Sequence, residues 1–322
     1  MGCPFQCVFC NQRKISGHQS IPTANDVQHI VEQHLATINP SGSHIEIAFF
    51  GGNFTGLPIA EQKTYLQAAT KFVEQGTVHA IRLSTRPDYI SNETLDLLKQ
   101  FPVKTIELGA QSLDDEVLKA SGRGHTAKQI EDASQAIKLA GFELVLQMMT
   151  GLPFDSPLKS LQTASRIIAL GATATRIYPC LVIEGTRLAE LYKSGVYQPQ
   201  SLQDTVELLA KLIIEFEKAE VFILRIGLHA SEELAKPESL LAGPYHPALR
   251  EMAESLIWRS AFEKEICFDK TGEIRIVTAP SQTAKAAGYK GQNRSWLGQH
   301  FSKVRFSSDE SLVKRAFYVN YC

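Results

Sequence analysis

No run in this chain approaches the roughly 20 consecutive apolar residues that a bilayer crossing needs. No leader-like stretch stands at its start, and only six cysteines are spread over 322 residues. The first absence predicts no membrane span, and sparse cysteine argues against a small disulfide-stapled secreted scaffold. Together they predict a cytoplasmic protein. Net charge is nearly absent too, with 33 Lys and Arg against 34 Asp and Glu. That balance excludes a wholesale electrostatic preference for nucleic acid but leaves room for a local patch. Internal repeats, low-complexity tracts and flexible linkers are also lacking. What remains is 44% hydrophobic and 21% charged residues, an ordinary globular composition. The length suits one α/β barrel-like domain with a small appendage.

Three of the six cysteines crowd together at the start. Cys3, Cys7 and Cys10 form a C-x3-C-x2-C run in CPFQCVFC. Thiolates at these spacings can wrap an iron-sulfur cluster, and three of them leave one iron of a 4Fe-4S cube open to a substrate or cofactor. Two blander readings stand beside this one. A structural zinc site wants four ligands, usually in two pairs, yet no second C-x2-C or H-x3-H pair follows and His18 completes the set only awkwardly. A disulfide with one spare thiol belongs to a secreted scaffold rather than to a chain of this length.

Beyond the cysteine loop, strand-like and helix-like segments alternate, the signature of βα units building a parallel sheet. Thr23 and Asp26 are spaced as a capping box for a helix to about Ile38, with Val27, Ile30, Val31 and Leu35 on one face. Strands are expected at His44 to Phe50, Val78 to Ser84, Lys104 to Gly109, Phe142 to Met148, Ala174 to Pro179 and Val221 to Leu228. Helices are expected near Ile59 to Glu74, Asn92 to Gln100, Ala127 to Ala140 and Lys159 to Leu170, with a long one after Ser201. A soft boundary near Gly243-Pro244 divides residues 1–243, the barrel, from residues 244–322, a compact α+β tail.

In a parallel α/β barrel, ligands gather at the carboxyl ends of the strands. Polar residues cluster at these ends. Gly51-Gly52-Asn53 lets a backbone pass close to a ligand and offers carbonyls to an ammonium group. In Ser84-Thr85-Arg86-Pro87-Asp88, the Arg86 fork suits a carboxylate or phosphate, or pairs with Asp88. Gln111 and Arg123 stand at the next end, beside His125, whose place after a glycine fits a local structural hydrogen bond. Gln147 with Gly151-Leu152-Pro153, and Tyr178 with Cys180, complete the set. Met148, Met149 and Cys180 read as core.

Taken together, the cysteine loop and these strand ends resemble the radical S-adenosylmethionine (radical SAM) superfamily over nearly the whole chain. TRPDYI, ELGAQSLDDEVLKASGRGHT and GLP are similar both to oxygen-independent coproporphyrinogen III oxidases and to the radical SAM part of the Elongator catalytic subunit. RIYPCLVIEGTRLAELYKSGVYQP leans to the Elongator-like side. The resemblance implies a partial (β/α)6 barrel holding a 4Fe-4S cluster and S-adenosylmethionine (SAM). Cys3, Cys7 and Cys10 would be the cluster ligands and Phe9 would lie beside the adenine. Gly51, Gly52 and Asn53 match the motif that receives the SAM amino group. Gln111 and Arg123 match contacts to the ribose and the carboxylate. Ser84, Arg86 and Gln147 complete the implied cofactor set. Reductive cleavage of SAM, fed by an external flavodoxin- or ferredoxin-type electron donor, would give a 5'-deoxyadenosyl radical that abstracts hydrogen from substrate.

The sequence departs from those patterns at several points. Asn53 replaces an acidic residue, exchanging a charge-assisted contact for a neutral one. Gln12 stands where coproporphyrinogen oxidases usually carry a fourth nearby cysteine, and Ser84 and Gln147 lack their carboxylates, which argues against a porphyrin. No acetyltransferase-like segment follows the barrel in this sequence, so tRNA enters only by analogy. Related barrels feed a strand into the cysteine loop, whereas only Met1 and Gly2 precede Cys3. The expectation is a barrel lacking its first strand, with His44 to Phe50 as an exposed edge and a native start upstream. From Ser281 to Arg305 the residues Lys285, Lys290, Arg294, Lys303 and Arg305 occur without an Asp or Glu, a candidate RNA-contacting segment or a solvated face. A porphyrin-oxidase-like enzyme and a non-catalytic RNA-binding protein on a degenerate barrel remain the alternatives.

Overall fold

The computed structural model describes residues 7–11, 22–39, 42–228 and 239–321. Cys3, Gln12 and His18 lie outside them. The chain divides into two compact units, one within Met1–Gln200 and Glu215–Pro244, the other within Ser201–Ile214 and Tyr245–Cys322.

In the first unit, helix α1 (Ala24–Leu35) begins at the expected capping box of Thr23 and Asp26 and ends one turn earlier than its apolar spacing suggested. Alternation then proceeds through β1 (Glu46–Phe49), α2 (Ile59–Glu74), β2 (Ala80–Thr85), α3 (Asn92–Leu98), β3 (Val103–Gln111), α4 (Asp115–Ala120), α5 (Ala127–Leu139), β4 (Glu143–Thr150), α6 (Pro157–Ala169) and β5 (Ala174–Pro179). After β5 come β6 (Val182–Ile183) and α7 (Arg187–Lys193). Helix α8 (Leu202–Lys218) follows, its residues up to Ile214 belonging to the second unit, and then β7 (Phe222–Ile226) and β8 (Leu240–Ala242) in the first.

Local chemistry starts the helices. Ser91, Asp114, Thr126, Ser156 and Thr186 each accept a backbone N–H at a helix N-terminus, a cap whose removal typically costs about 1 kcal/mol. Pro157 adds a preset φ in the first turn of α6.

Six strands form one all-parallel sheet in the order β1-β2-β3-β4-β5-β7. The sheet curls into a half-barrel, as the family resemblance implied. Period-two alternation sorts its faces. Ile81, Leu83, Ile106, Leu108, Leu144, Leu146, Met148 and Ile177 are fully buried on the helix-covered side, each contributing roughly 1.5–3 kcal/mol by burial. The opposite, concave face carries Arg82, Ser84, Glu107, Gln147 and Arg176. Strand β1 is an edge of this sheet among the described residues. Nearby, α1 buries none of its residues and Phe50 is 48% exposed. The short antiparallel pair β6–β8 is a separate feature of the same unit.

The second unit is α+β. Strand β9 (Glu273–Thr278) lies between parallel β10 (Lys303–Ser308) and antiparallel β11 (Phe317–Tyr321). These strands pack with the helix Leu249–Glu265 and the short helices Thr283–Ala287 and Gln292–Leu297 around Trp258, Phe262, Ile274, Ile276, Leu297 and Phe301. No described helix is long and apolar enough to cross a membrane.

Candidate functional site

The cysteine loop is tied to the strand-end region by backbone and side-chain bonds alike. Val8 N–H donates to the Ser121 carbonyl at the end of α4, and Leu188 N–H in α7 donates to the Val8 carbonyl. Val8 is buried against Val117, Leu152, Val182 and Leu188, with Phe9 partly buried on the same cluster. Cys10 N–H closes a turn on the Cys7 carbonyl at 3.0 Å. Neither cysteine is in a disulfide; Cys7 is buried and Cys10 half-buried.

Arg123, itself buried, places Nη1 3.3 Å from the Cys7 sulfur and donates from Nη2 to the Gly109 carbonyl at the end of β3. Its Nε is buried and has no hydrogen-bond partner among the described residues. The Cys7 sulfur therefore faces a cationic N–H donor, and hydrogen bonds to ligand sulfurs are a recurring feature of iron-sulfur sites. That donor chemistry fits an iron-sulfur ligand loop. Among the described residues no group of three His, Cys, Asp or Glu side chains converges as a metal site, Cys3 being outside them.

Next to Arg123, β3 ends in a bulge between Gly109 and Gln111. Gln111 sits at φ +68, a left-handed conformation that costs a non-glycine residue of order 1–3 kcal/mol and clusters at functional sites. A Cβ on Gly109 would stand 3.0 Å from Gln111 Nε2 and 3.4 Å from Arg123 Nη2. Any larger residue would press on the Gln111 side chain, which would have to give by a few tenths of an ångström.

Asn53, 2% exposed, turns its Oδ1 onto Thr85 Oγ1 at 2.6 Å and Arg86 N–H at 3.2 Å. Its carboxamide oxygen therefore clamps the end of β2 to the loop after β1. Gly51 and Gly52 stay exposed there, with open space where a Gly52 Cβ would project. Of the two sequence readings of Arg86, the geometry displays the pairing with Asp88. Nε and Nη2 reach its two carboxylate oxygens at 2.9 and 3.0 Å, and Nη2 also donates to the Arg123 carbonyl.

His125 is buried in the same cluster, its Nδ1 3.5 Å from Arg86 Nη2 and 3.9 Å from Asp88 Oδ1. Burial, then the Arg123 and Arg86 charges, lower its pKa to about 4 despite the opposing pull of Asp88. The ring is neutral at physiological pH. Burial likewise pushes the Cys180 thiol up to about 12, in keeping with a core residue rather than a ligand. The Gly151 turn is fixed by Asp155, which accepts the Gly151 N–H at 2.8 Å, and by the Tyr197 hydroxyl on the Gly151 carbonyl at 2.6 Å.

Ser84 and Gln147 fall in a deeper layer. Gln147 Nε2 lies 3.4 Å from Ser84 Oγ and 3.2 Å from Glu107 Oε2. Glu107, with no exposed side-chain surface, also receives Arg82 and Arg176, and Arg82 reaches on to Glu46 at 2.9 Å. Arg176 lies over the Phe50 ring at 5.0 Å. Sequence reasoning passed over this charged row. Its signal was a charge on one face of three successive strands, with sign alternating through Glu46, Arg82 and Glu107. The structure thus joins Cys7, Asn53, Arg86, Gln111 and Arg123 in one cluster at the strand ends, sets Ser84 and Gln147 below it, and packs Phe9 on the neighbouring core.

Comparison with known proteins follows the same outline. Residues 1–162 match the model of the Radical SAM superfamily, and residues 172–259 match that of the Radical_SAM C-terminal domain. Elongator complex protein 3 of Schizosaccharomyces pombe is 30% identical over 203 residues, 57% of this chain and 37% of that protein. A tRNA uridine(34) acetyltransferase of Methanocaldococcus infernus is 28% identical over 198 residues, 55% of this chain and 37% of its own length. The solved structure of M. infernus Elp3 with an N-terminal deletion superposes with a TM-score of 0.60 at 25% identity, covering 75% of this chain and 58% of that one. The chain spans little more than a third of the length of these two curated relatives.

Proposed function

The chain belongs to the radical SAM superfamily, and from that premise we propose that it cleaves SAM reductively at a 4Fe-4S cluster held by Cys3, Cys7 and Cys10 and acts on an RNA, with tRNA as the substrate class. Members of the superfamily bind a 4Fe-4S cluster and SAM. When bound, these groups supply one-electron scission of a carbon-sulfur bond and the hydrogen abstraction that follows from it. The observation that carries the reading is Cys7, buried and uncrosslinked, with the Arg123 guanidinium on its sulfur at the carboxyl ends of a parallel half-barrel.

The chain's own residues bind and orient. Arg123 and the exposed Gly51-Gly52 backbone suit the carboxylate and amino groups of SAM, and strained Gln111 suits the ribose hydroxyls. Phe9 would flank the adenine. Asn53 and Arg86 act by holding the ends of β1 and β2 in place, because Asn53 Oδ1 is bonded to β2 and the Arg86 fork is bonded to Asp88. Ser84 and Gln147 face the concave interior where the substrate would reach the cofactor. An external flavodoxin- or ferredoxin-type protein would deliver the electron in the cytoplasm.

The RNA reading draws on relatives named for a tRNA uridine and for Elongator, and on the second unit's exposed cations. Lys285 is held by Glu254, and Lys303 and Arg305 are held by Glu273. Lys290 and Arg294 are exposed without a carboxylate partner among the described residues, and these two are the contacts assigned to RNA. Anaerobic reconstitution tests the cofactor part. Wild-type protein should take up about four irons, whereas Cys7→Ala should not retain an intact cluster. Zinc at one per chain with no iron would overturn it.

A further inference from the structure

Arg123 is fixed more firmly than a residue waiting only for a ligand's carboxylate needs to be. Its N–H donates to the Leu118 carbonyl, its carbonyl accepts from Arg86 Nη2, and its Nη2 is bound to Gly109. Arg86 is locked in turn by the two-point contact with Asp88. On the other side, Cys7 is followed by Val8, whose N–H is bonded to Ser121, two residues before Arg123. The backbone beside each group is thus anchored to the same helix end, and sulfur and guanidinium lie 3.3 Å apart.

Building on the proposed ligand role of Cys7, we infer that Arg123 sets the reduction potential of the bound cluster through an N–H···S hydrogen bond, as a positioning residue whose effect does not require SAM. Reduction adds a negative charge to the cluster. A buried cation and a hydrogen bond to a ligand sulfur both favour that added charge, and such bonds and local charge are levers on iron-sulfur potential. Among the described residues, neighbouring charges leave Arg123 as the uncompensated one of this cluster. Asp88 neutralises Arg86, and His125 is uncharged at neutral pH. The low-dielectric surroundings of two buried groups strengthen the effect over an exposed pair.

The test is an EPR-monitored potentiometric titration of the SAM-free, reconstituted protein, comparing wild type with Arg123→Met and Arg123→Lys at matched iron content. At a fixed ambient potential the Met variant should show at least a tenfold lower ratio of reduced to oxidised cluster, about 59 mV for a one-electron couple. The Lys variant, keeping charge but losing the fork, should fall between. Unchanged SAM-free potentials with weakened SAM binding would overturn the inference and leave Arg123 as a carboxylate contact alone. Should the variants fail to load, wild type labelled with 15N-arginine decides. Pulsed EPR of the reduced cluster should show nitrogen coupling from one arginine, and its absence overturns the inference. Failure of wild type itself to take up iron would overturn both this inference and the functional reading, and is recognisable as that separate result.

Discussion

Glu107 and Arg176 meet across the concave face of the sheet in a two-point contact that reaches over β4, Nε to Oε2 at 2.7 Å and Nη2 to Oε1 at 3.2 Å. The carboxylate is fully buried and also bonds Arg82 and Gln147. It pins β2, β4 and β5 to β3 beneath the candidate cofactor site.

Removing that charge should therefore loosen the barrel. Glu107→Gln leaves two arginines facing a neutral amide, and breaking a buried ion pair from one side costs about 3 kcal/mol or more. Urea unfolding should record that loss. A change within about 0.5 kcal/mol, as at ordinary surface sites, would contradict the assignment.

Asn53 gives a second test, of position rather than charge. In Asn53→Ala the Thr85 hydroxyl and the Arg86 N–H lose a buried acceptor; Thr85 keeps its contact with the Thr55 hydroxyl, so the expected penalty is about 1–3 kcal/mol, for the Arg86 N–H. Asn53→Asp keeps an acceptor there and should be the better tolerated of the two. Thermal unfolding of both variants beside wild type checks the order, and equal stability of the Ala variant and wild type would remove the clamp.

A pH dependence follows from His125. Its folded pKa, about 4, lies below the ordinary value of 6.5, so the unfolded chain binds the proton first as pH falls. The stabilising contribution is complete above pH 6.5 and is lost between there and pH 4. By linkage the loss is about 2 kcal/mol from pH 7 to pH 5. Chemical denaturation at those two values should show that slope, and His125→Gln should flatten it.

For the second unit, an RNA-binding measurement separates exposed from committed cations. Lys290→Ala should weaken binding to a tRNA probe and reduce the salt slope by about one. Lys285→Ala should instead lower stability, because Lys285 Nζ is 3.3 Å from the buried Glu254 carboxylate, which Arg315 also contacts at 2.6 Å. Affinity indifferent to salt and to Lys290 would count against an RNA site there.

Much of the barrel was readable before the structure because period-two and period-3.6 patterns are local. The helix Ile59–Glu74 and the strand Ala174–Pro179 match their sequence bounds residue for residue. The pairing of Val182–Ile183 with Leu240–Ala242 was not readable, since strands this short carry no period and their partners are far apart in the chain. At the site, Cys7, Gln111 and Arg123 were marked by motif and strand-end position. Their direct linkage, and the capture of Arg86 by Asp88 and of Asn53 by β2, depend on distances that spacing does not encode. The basic run Lys285 to Arg305 misled in one respect. Its nearest carboxylates in space, Glu254 and Glu273, lie outside the run.

The most direct test of the central claim is 5'-deoxyadenosine formation by the reconstituted protein under anaerobic reduction with SAM. The account predicts 5'-deoxyadenosine and methionine in equal amounts from wild type and none from Cys7→Ala. A wild-type protein that carries its full complement of iron, binds SAM and yet forms no 5'-deoxyadenosine on reduction would contradict it.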